Sequence, residues 1–442
     1  MAQQEANYHA DHLFREAYGE ILASLAARFG FGLLDSIEDA LQDTFIKAMQ
    51  VWGYQGLPDN PRAWLYTAAR NRLLDLLRKE KKQVDFPLES QAATELLSGA
   101  SDSQAMNVDS QVVNLDSQEV QDAQLRMIFA CCHPALSREY QLLLSLKLVA
   151  GFNNREVGRV LLKKEEAIAK AYTRAKKALG QQLDVLEPIR NLALRNRSVV
   201  VYQVIYLMFT EGYRPQSGDS GLRKDLCFEA LRLAILLDTN STFKTHDLSA
   251  LIALMAFHAA RFDARFDADG KLVDLEHQDR SKYNGELIAY GKANWEVCQQ
   301  DQPFSSRYHL EAGIAYLHAR AKDYASTDWA SILLLYDAHL ARQFSPIVAL
   351  NRLVALAESG NITSAQKALE ELAKAHPMVA EKALFHALRA RIFHNQGAFE
   401  KAEEAFARAA DLSQNNLEKV HFEAQGRKSV AAKNQVRDQP SR

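Results

Sequence analysis

The sequence predicts an all-α protein: two small helical domains, the second a helix-turn-helix, followed by a C-terminal helical-repeat domain. Three observations carry that expectation. Pro and Gly are scarce, at 10 and 19 in 442 residues, and β-branched runs are few. Apolar positions recur at the helical period along nearly the whole chain. Two segments near the C-terminus repeat one another. The composition, 48% hydrophobic and 24% charged, is that of an ordinary globular protein. No apolar run approaches the ~18 residues of a membrane span. The first residues, MAQQEANYHADHLF, lack the basic-then-apolar pattern of a secretory signal. A cytoplasmic protein without membrane contact is therefore expected. Four Cys (131, 132, 227, 298) in so long a chain make no disulfide framework.

Residues 8–82 read as the first compact helical set, interrupted by a Gly/Pro loop at VWGYQGLPDNP (51–61), which would hold Trp52 and Tyr54. The next helix follows from NPRAWLYTAARNRLLDLLRKEKK (60–82). Asn60 suits the cap, and Pro61 suits the first helical position, where its missing N–H costs nothing. At 100° per residue Leu65, Ala69, Leu73, Leu76 and Leu77 share one face. Trp64, Thr67, Arg70, Asn71 and Arg78 share the other. A Trp beside cations on a polar face suits unstacked bases, although Trp64 and Tyr66 as plain packing residues is the competing reading.

The net charge of −2 hides a strong asymmetry. Residues 62–82 carry seven Lys/Arg against two acids, and residues 155–177 carry eight against three. Between them, residues 83–122 carry eight acids and no Lys, Arg or His. That stretch, rich in Ser and Gln, reads as an acidic flexible linker with at most short helices. Two basic modules on such a tether can hold two DNA sites with an avidity neither has alone.

Residues 123–182 read as the second small domain. In REVGRVLLKKEEAIAKAYTRAKKAL (155–179) a short helix (154–161) gives way to a turn at Leu162–Lys163, and a longer helix starts near Lys164. Val157, Val160, Leu161, Ile168, Tyr172 and Ala175 would point inward. Lys163, Lys164, Lys170, Arg174 and Lys177 would point outward, as in a helix-turn-helix whose second helix enters the major groove. Lys164 to Lys170 would meet base edges, and Arg174 and Lys177 phosphates. A solvated basic face on a bundle is the plainer alternative.

Residues 188–412 read as a long helical region, and 413–442 as a frayed polar tail. Within that region 351–377 aligns with 389–414 at an offset of 37: Gly360 with Gly397, Ala365 with Ala402, Leu369 with Phe406. Set against the ~34-residue tetratricopeptide period, Pro377 falls at the closing Pro and Phe393 at the Tyr position. Stacked helical hairpins follow, with a groove suited to a protein or peptide.

SIEDALQDTFIKAMQ (36–50) followed by NPRAWLYTAARNRLLDLLRK resembles the second region of extracytoplasmic-function (ECF) sigma factors, of the sigma-70 superfamily. Residues 155–177 resemble their fourth region through Glu156, Val157, Gly158, Leu161, Arg174, Ala175 and Lys176. MIFACCHPAL (127–136), YLMFTEGY (206–213) and HQDRS (277–281) resemble the subgroup with a long helical C-terminal extension. Lys163, Lys164 and Ala167 depart from the apolar residue, Pro and Thr of many relatives, at positions that bear on which upstream element is read.

The resemblance implies a non-enzymatic transcription initiation factor whose partners are core RNA polymerase and promoter DNA. It assigns polymerase docking to Asp39, Gln42, Asp43 and Phe45, an acidic edge with one exposed apolar side chain. It assigns −10 reading and melting to Trp64, Arg70, Asn71 and Arg72, with Arg62 and Arg78 on the same basic helix. Melting needs a base captured outside the stack. It assigns −35 reading to Lys163, Lys164, Lys170, Arg174 and Lys177, and a regulatory or interaction role to the extension. The alternatives are a helix-turn-helix regulator acting without polymerase and a tetratricopeptide adaptor.

No cofactor or metal is expected. Cys131, Cys132 and His133 are adjacent, not at metal-ligand spacing. Asp267, Asp269, Gly270 and Glu276 mimic part of a calcium loop, but Arg265 stands where its first Asp belongs, and a β-turn is expected instead. Asp279–Arg280 in HQDRS reads as a buried ion pair or helix cap rather than a catalytic pair.

Overall fold

The computed structural model describes residues 17–83, 117–161, 163–181, 192–214, 222–300 and 306–437. Among these the regular elements are helical, and extended backbone pairs in an isolated bridge between Phe266 and Leu272. The chain divides into two compact units, 1–205 with 239–243, and 206–238 with 244–442. No helix among the described residues is long and apolar enough to cross a membrane.

In the first unit α1 (17–29), α2 (Leu34–Gln55) and α3 (Pro61–Gln83) surround a core of Leu22, Leu25, Phe29, Ile37, Leu41, Leu65, Leu73 and Leu77. Asn60 caps α3 as its sequence requires, its Oδ1 accepting from the Ala63 N–H at 3.1 Å. The helix buries Leu65, Ala69, Leu73 and Leu77, with Leu76 half-buried. One expectation is corrected here. Trp52 and Tyr54 do not lie in a loop, because α2 runs on to Gln55. It stops at Gly56, whose φ of 80° ends the helix and whose N–H bonds to the Trp52 carbonyl.

Residues 84–116, most of the expected linker, lie outside the described residues. Its last six residues already belong to α4 (Ser117–Cys131). Then come α5 (Arg138–Leu144), continued by a π-helical turn at Ser145–Val149, α6 (Asn154–Leu161) and α7 (Glu165–Gly180). A helix, α8 (Leu192–Tyr213), carries the boundary between the units.

The second unit contains α9 (Lys224–Thr239) up to Asp238, and α10 (His246–Ala259), α11 (Gly285–Cys298), α12 (Arg307–Arg320) and α13 (Trp329–Arg342). α10 is buried on nearly every side from Leu248 to Phe257, so it is the core of this unit rather than an amphipathic surface helix. Two helical hairpins follow, α14 (Pro346–Glu358) with α15 (Ile362–Ala375), and α16 (Ala383–Asn395) with α17 (Phe399–Leu412). Their turns are built alike. Gly360 and Gly397 take φ of 90° and 75°, and the next residue's N–H reaches back to Leu356 in one and Phe393 in the other. The aligned Ala365 and Ala402 are fully buried.

The expected frayed tail is also corrected. Residues Asn416–Arg437 form α18. Phe422 packs on the cluster of Ala390, Ala405 and Phe406, and the Ser429 hydroxyl lies 2.9 Å from His394 Nδ1. α18 thereby covers an apolar face of the second hairpin.

Candidate functional site

On α2 the side chains divide cleanly. Ile37, Leu41, Thr44 and Ala48 point into the bundle. Asp39, Gln42, Asp43, Ile46 and Met49 are exposed, and their spacing of three and four sets them in one stripe along the helix. Ile46 and Met49 are 52% and 55% exposed. Phe45, expected as the exposed apolar residue of this edge, is instead half-buried, its ring centre 6.1 Å from that of Tyr18. The apolar part of the edge is one residue further round the helix.

The polar face of α3 is less open than its sequence implies. Trp64 is half-buried, its ring edge-on to Trp52 with centres 5.4 Å apart, and Tyr66 is buried. Arg72 donates to Asp43 at 2.7 Å, Arg62 sits 3.2 Å from Glu20, and Arg78 sits 3.5 Å from Asp75. Residues assigned to DNA and to a protein partner are thus paired with one another through Arg72 and Asp43. Arg70 is half-buried and approaches the Asn71 amide oxygen at 3.4 Å. Burial, and then Arg28, lower its pKa. At the junction of α2 and α3, Tyr54 is 95% and Leu57 65% exposed.

The two helices expected here form as α6 (Asn154–Leu161) and α7 (Glu165–Gly180). Asn153 and Glu156 cap α6 reciprocally, each backbone N–H bonded to the other's side chain at 2.9 Å. The turn passes so close to Gly158 that a Cβ there would lie 2.7 Å from the Lys163 carbonyl oxygen. That contact requires glycine. Val157, Ile168, Tyr172 and Ala175 are buried, and Leu161 is half-buried; the Val160 side chain lies outside the described residues. Lys163, Lys164, Lys170, Arg174 and Lys177 are all exposed. Of these, Lys163 bonds to Glu139 at 2.6 Å, and Arg174 Nε donates to the Lys170 carbonyl at 3.3 Å.

The two halves of this unit are joined by a buried carboxylate. Glu38 accepts from the Tyr18 hydroxyl at 3.1 Å and the Tyr172 hydroxyl at 2.7 Å, and its second oxygen takes the Lys176 ammonium at 2.6 Å. Lys176 also bonds Asp35, and its ammonium lies 4.7 Å from the centre of the Tyr172 ring. Burial and the neighbouring Glu38 push both tyrosine hydroxyls well above their usual pKa. Burial opposes the charge on Lys176, but Asp35 and Glu38 outweigh it and raise its pKa. Nearby, a Cβ on Gly19 would lie 2.3 Å from the Val149 carbonyl oxygen, so α1 and the π-helical turn meet backbone to backbone.

Comparison with known proteins places the first of these surfaces. Residues 14–83 match the family model described as Sigma-70 region 2. The chain belongs to the sigma-70 family. Residues 197–299 match a family of unknown function, DUF6596. The chain is also 33% identical over 395 residues to "Uncharacterized protein R00370" of Rhizobium meliloti (strain 1021), covering 89% of this chain and 90% of that protein. No solved structure matches.

Region 2 of this sigma-70 family member therefore contains the α2 stripe, the exposed Tyr54 and Leu57, and all of α3. The helix-turn-helix falls between the two matched segments. Sequence reading missed Ile46 and Met49, although the i, i+3, i+7, i+10 count from Asp39 would have found them. It also missed the Glu38 junction, because no spacing rule links a carboxylate on α2 to residues about 135 positions away on α7.

The remaining motifs resolve structurally. Asp279 caps a short helical turn, accepting from Ser281 N at 3.0 Å and Ser281 Oγ at 2.6 Å, and Arg280 donates to the carbonyls of His318 and Ala321 at 2.6 Å each. Asp267 organises a tight turn, its Oδ1 accepting from the N–H groups of Asp269 and Lys271, with Gly270 at φ 75°. Among the described residues no three His, Cys, Asp or Glu side chains gather as a metal site would need. Cys131 and Cys132 are buried, and burial pushes the Cys132 thiol up to about 12.

Proposed function

We propose that this sigma-70 family member is an ECF-type initiation factor that brings core RNA polymerase to a particular set of promoters. The observation that carries the reading is the α2 stripe inside the region 2 match. Asp39, Gln42 and Asp43 offer acid and amide groups to a basic partner helix, and Ile46 and Met49 offer the apolar contact that fixes its register. α3 lies beside it and presents Arg70, Asn71 and Trp64 to separated strands. Tyr54 and Leu57 stand exposed at its foot, where a base leaving the stack would find an apolar surface. α7 would read the −35 element with Lys164 and Lys170, and would grip phosphates with Arg174 and Lys177. The C-terminal unit would serve as an interaction or regulatory module. The chain would supply no chemistry, since polymerase performs it, and would act in the cytoplasm.

This reading gives the Glu38 junction a role. The −10 and −35 elements are about 25 base pairs apart, roughly 85 Å at 3.4 Å per pair. Residues in direct contact across α2 and α7 cannot engage both. The junction would have to open on the promoter complex, and the acidic stretch of chain joining α3 to α4 would be the tether that permits it. The test is run-off transcription with purified core polymerase and the full chain. A promoter-dependent transcript from the wild type, lost in Asp43→Arg, is expected. A chain that neither binds core polymerase at low salt nor directs a start site would end this reading.

A further inference from the structure

The C-terminal unit holds a cleft of about 940 Å³ walled by α8, α10, α12, α13 and the start of α14. That is at the upper end of the roughly 300–1,000 Å³ typical of small-molecule sites. Part of its wall, including Tyr206, His258 and Arg261, comes from the segment matched by DUF6596. The rest comes from helices beyond it.

The charge of the lining is one-sided. Arg261, Arg307 and Arg342 face a single acid, Glu311. That acid is occupied by the protein itself. The Tyr206 hydroxyl donates to it at 2.9 Å, His339 Nε2 lies 3.5 Å away, and Arg307 lies 3.7 Å away. Arg307 also stacks over the Tyr206 ring at 4.3 Å, and Arg261 is held by a two-nitrogen fork on Gln278 Oε1 at 3.1 Å. Arg261 and Arg307 are therefore held in place before anything binds.

Three imidazoles complete the wall. The Nδ1 atoms of His258, His318 and His339 are buried and have no hydrogen-bond partner. Burial, reinforced by Arg261 and other nearby cations, lowers the pKa of His258 and of His318 to about 3, so both are neutral at physiological pH. The rings line the cleft while these nitrogens are themselves closed off from it, so the imidazoles add an uncharged, largely apolar wall beside the arginines. The opening turn of α14 adds the positive end of a helix: Ser345 makes no side-chain cap bond, and Pro346 opens the helix. Phe344 and Ile347, each 46% exposed, supply an apolar rim.

We propose that this cleft binds a small organic anion, a carboxylate or phosphate monoester on an aromatic or apolar body. The oxyanion is taken by the arginines, and the apolar body by Tyr206, Tyr336, Phe344 and the imidazole rings. The C-terminal unit is then a sensor of a small acidic molecule. This stands apart from the transcription reading, because binding is measured on the chain without polymerase.

The experiment is titration calorimetry of the full chain with phenyl phosphate and benzoate, against phenol and inorganic phosphate. Saturable binding of one anion per chain is expected, with phenol failing to bind and inorganic phosphate binding more weakly. A preference for phenyl phosphate assigns a phosphate monoester, and a preference for benzoate a carboxylate. Arg307→Gln and Arg342→Gln should each weaken the anion at least tenfold. Glu311→Gln removes the one opposing charge and keeps an acceptor for Tyr206, so it should tighten binding, a result misfolding cannot imitate. The proposal is overturned if neither organic anion binds, if phenol binds equally well, or if none of the three substitutions changes the affinity.

Discussion

The helices α3 and α7 look alike as sequences and differ as surfaces. Each is a strongly basic helix with a regular apolar stripe. On α3, Arg62, Arg72 and Arg78 have carboxylates at 2.6–3.5 Å, and Trp64 leans on Trp52. On α7, Lys164, Lys170, Arg174 and Lys177 stand exposed, while Lys176 alone turns inward to Glu38. Charge count measures attraction for an anion at long range, but a grip on it depends on which cations have no better partner. On the proposed reading α7 would meet a duplex as it stands. α3 must first exchange internal partners for external ones.

Asp43→Arg tests that exchange most severely. It removes one of the two acids of the proposed docking stripe and sets two arginines against each other where Arg72 now donates to Asp43. Pull-down with core polymerase should show at least a hundredfold loss, about 2.7 kcal/mol or more, and circular dichroism should show the fold retained. Gly158→Val comes next and strikes only α7. A side chain 2.7 Å from the Lys163 carbonyl must reopen the turn, at about 1–3 kcal/mol. Binding to duplex −35 sequences should fall sharply, while single-strand binding by α3 is unchanged.

Glu38→Gln is smaller and acts on the junction. It keeps acceptors and donors for Tyr18 and Tyr172 but removes the charge that holds Lys176, which should lower stability by about 1–3 kcal/mol in urea unfolding. The raised pKa of Lys176 sets the sign of the pH dependence. Its ion pairs stabilise the unit fully below the ordinary lysine value of 10.5 and are lost as pH climbs through the raised one. The wild-type urea midpoint should therefore fall above that range, and Glu38→Gln, which leaves Asp35 alone on the ammonium, should show a smaller fall. In the proposed mechanism the same substitution should ease opening on the promoter.

The all-α class, the cap at Asn60, the boundaries of the helix-turn-helix and the 37-residue repeat were legible because each rests on residues close in sequence. Periodicity, capping and turn chemistry are local. What was not legible depends on distant partners. Phe45 and Ile46 are equally apolar neighbours, and only the position of α1 decides which is covered. The α18 helix, mostly polar in sequence, exists because the last hairpin needs a cover. The cleft is assembled from Tyr206 to Asn351, residues that no spacing rule connects.

The finest test sets Arg174→Ala beside Arg72→Ala. Arg174 is exposed on α7, so its loss should weaken duplex binding evenly across sequences and reduce the slope of log affinity against log salt by about one. Arg72 should do less in the isolated chain. It is already neutralised by Asp43 at 2.6 Å, so removing it takes no available cation from the surface, and the salt slope of free-chain DNA binding should barely move. In the polymerase complex the outcome should differ. If Asp43 is taken up by docking, Arg72 is released toward the −10 strands, and its removal should then lower open-complex formation measurably. A defect of Arg72→Ala that appears only with polymerase present would establish that docking hands this cation from protein to DNA. An equal defect with and without polymerase would mean that Asp43 never held it back.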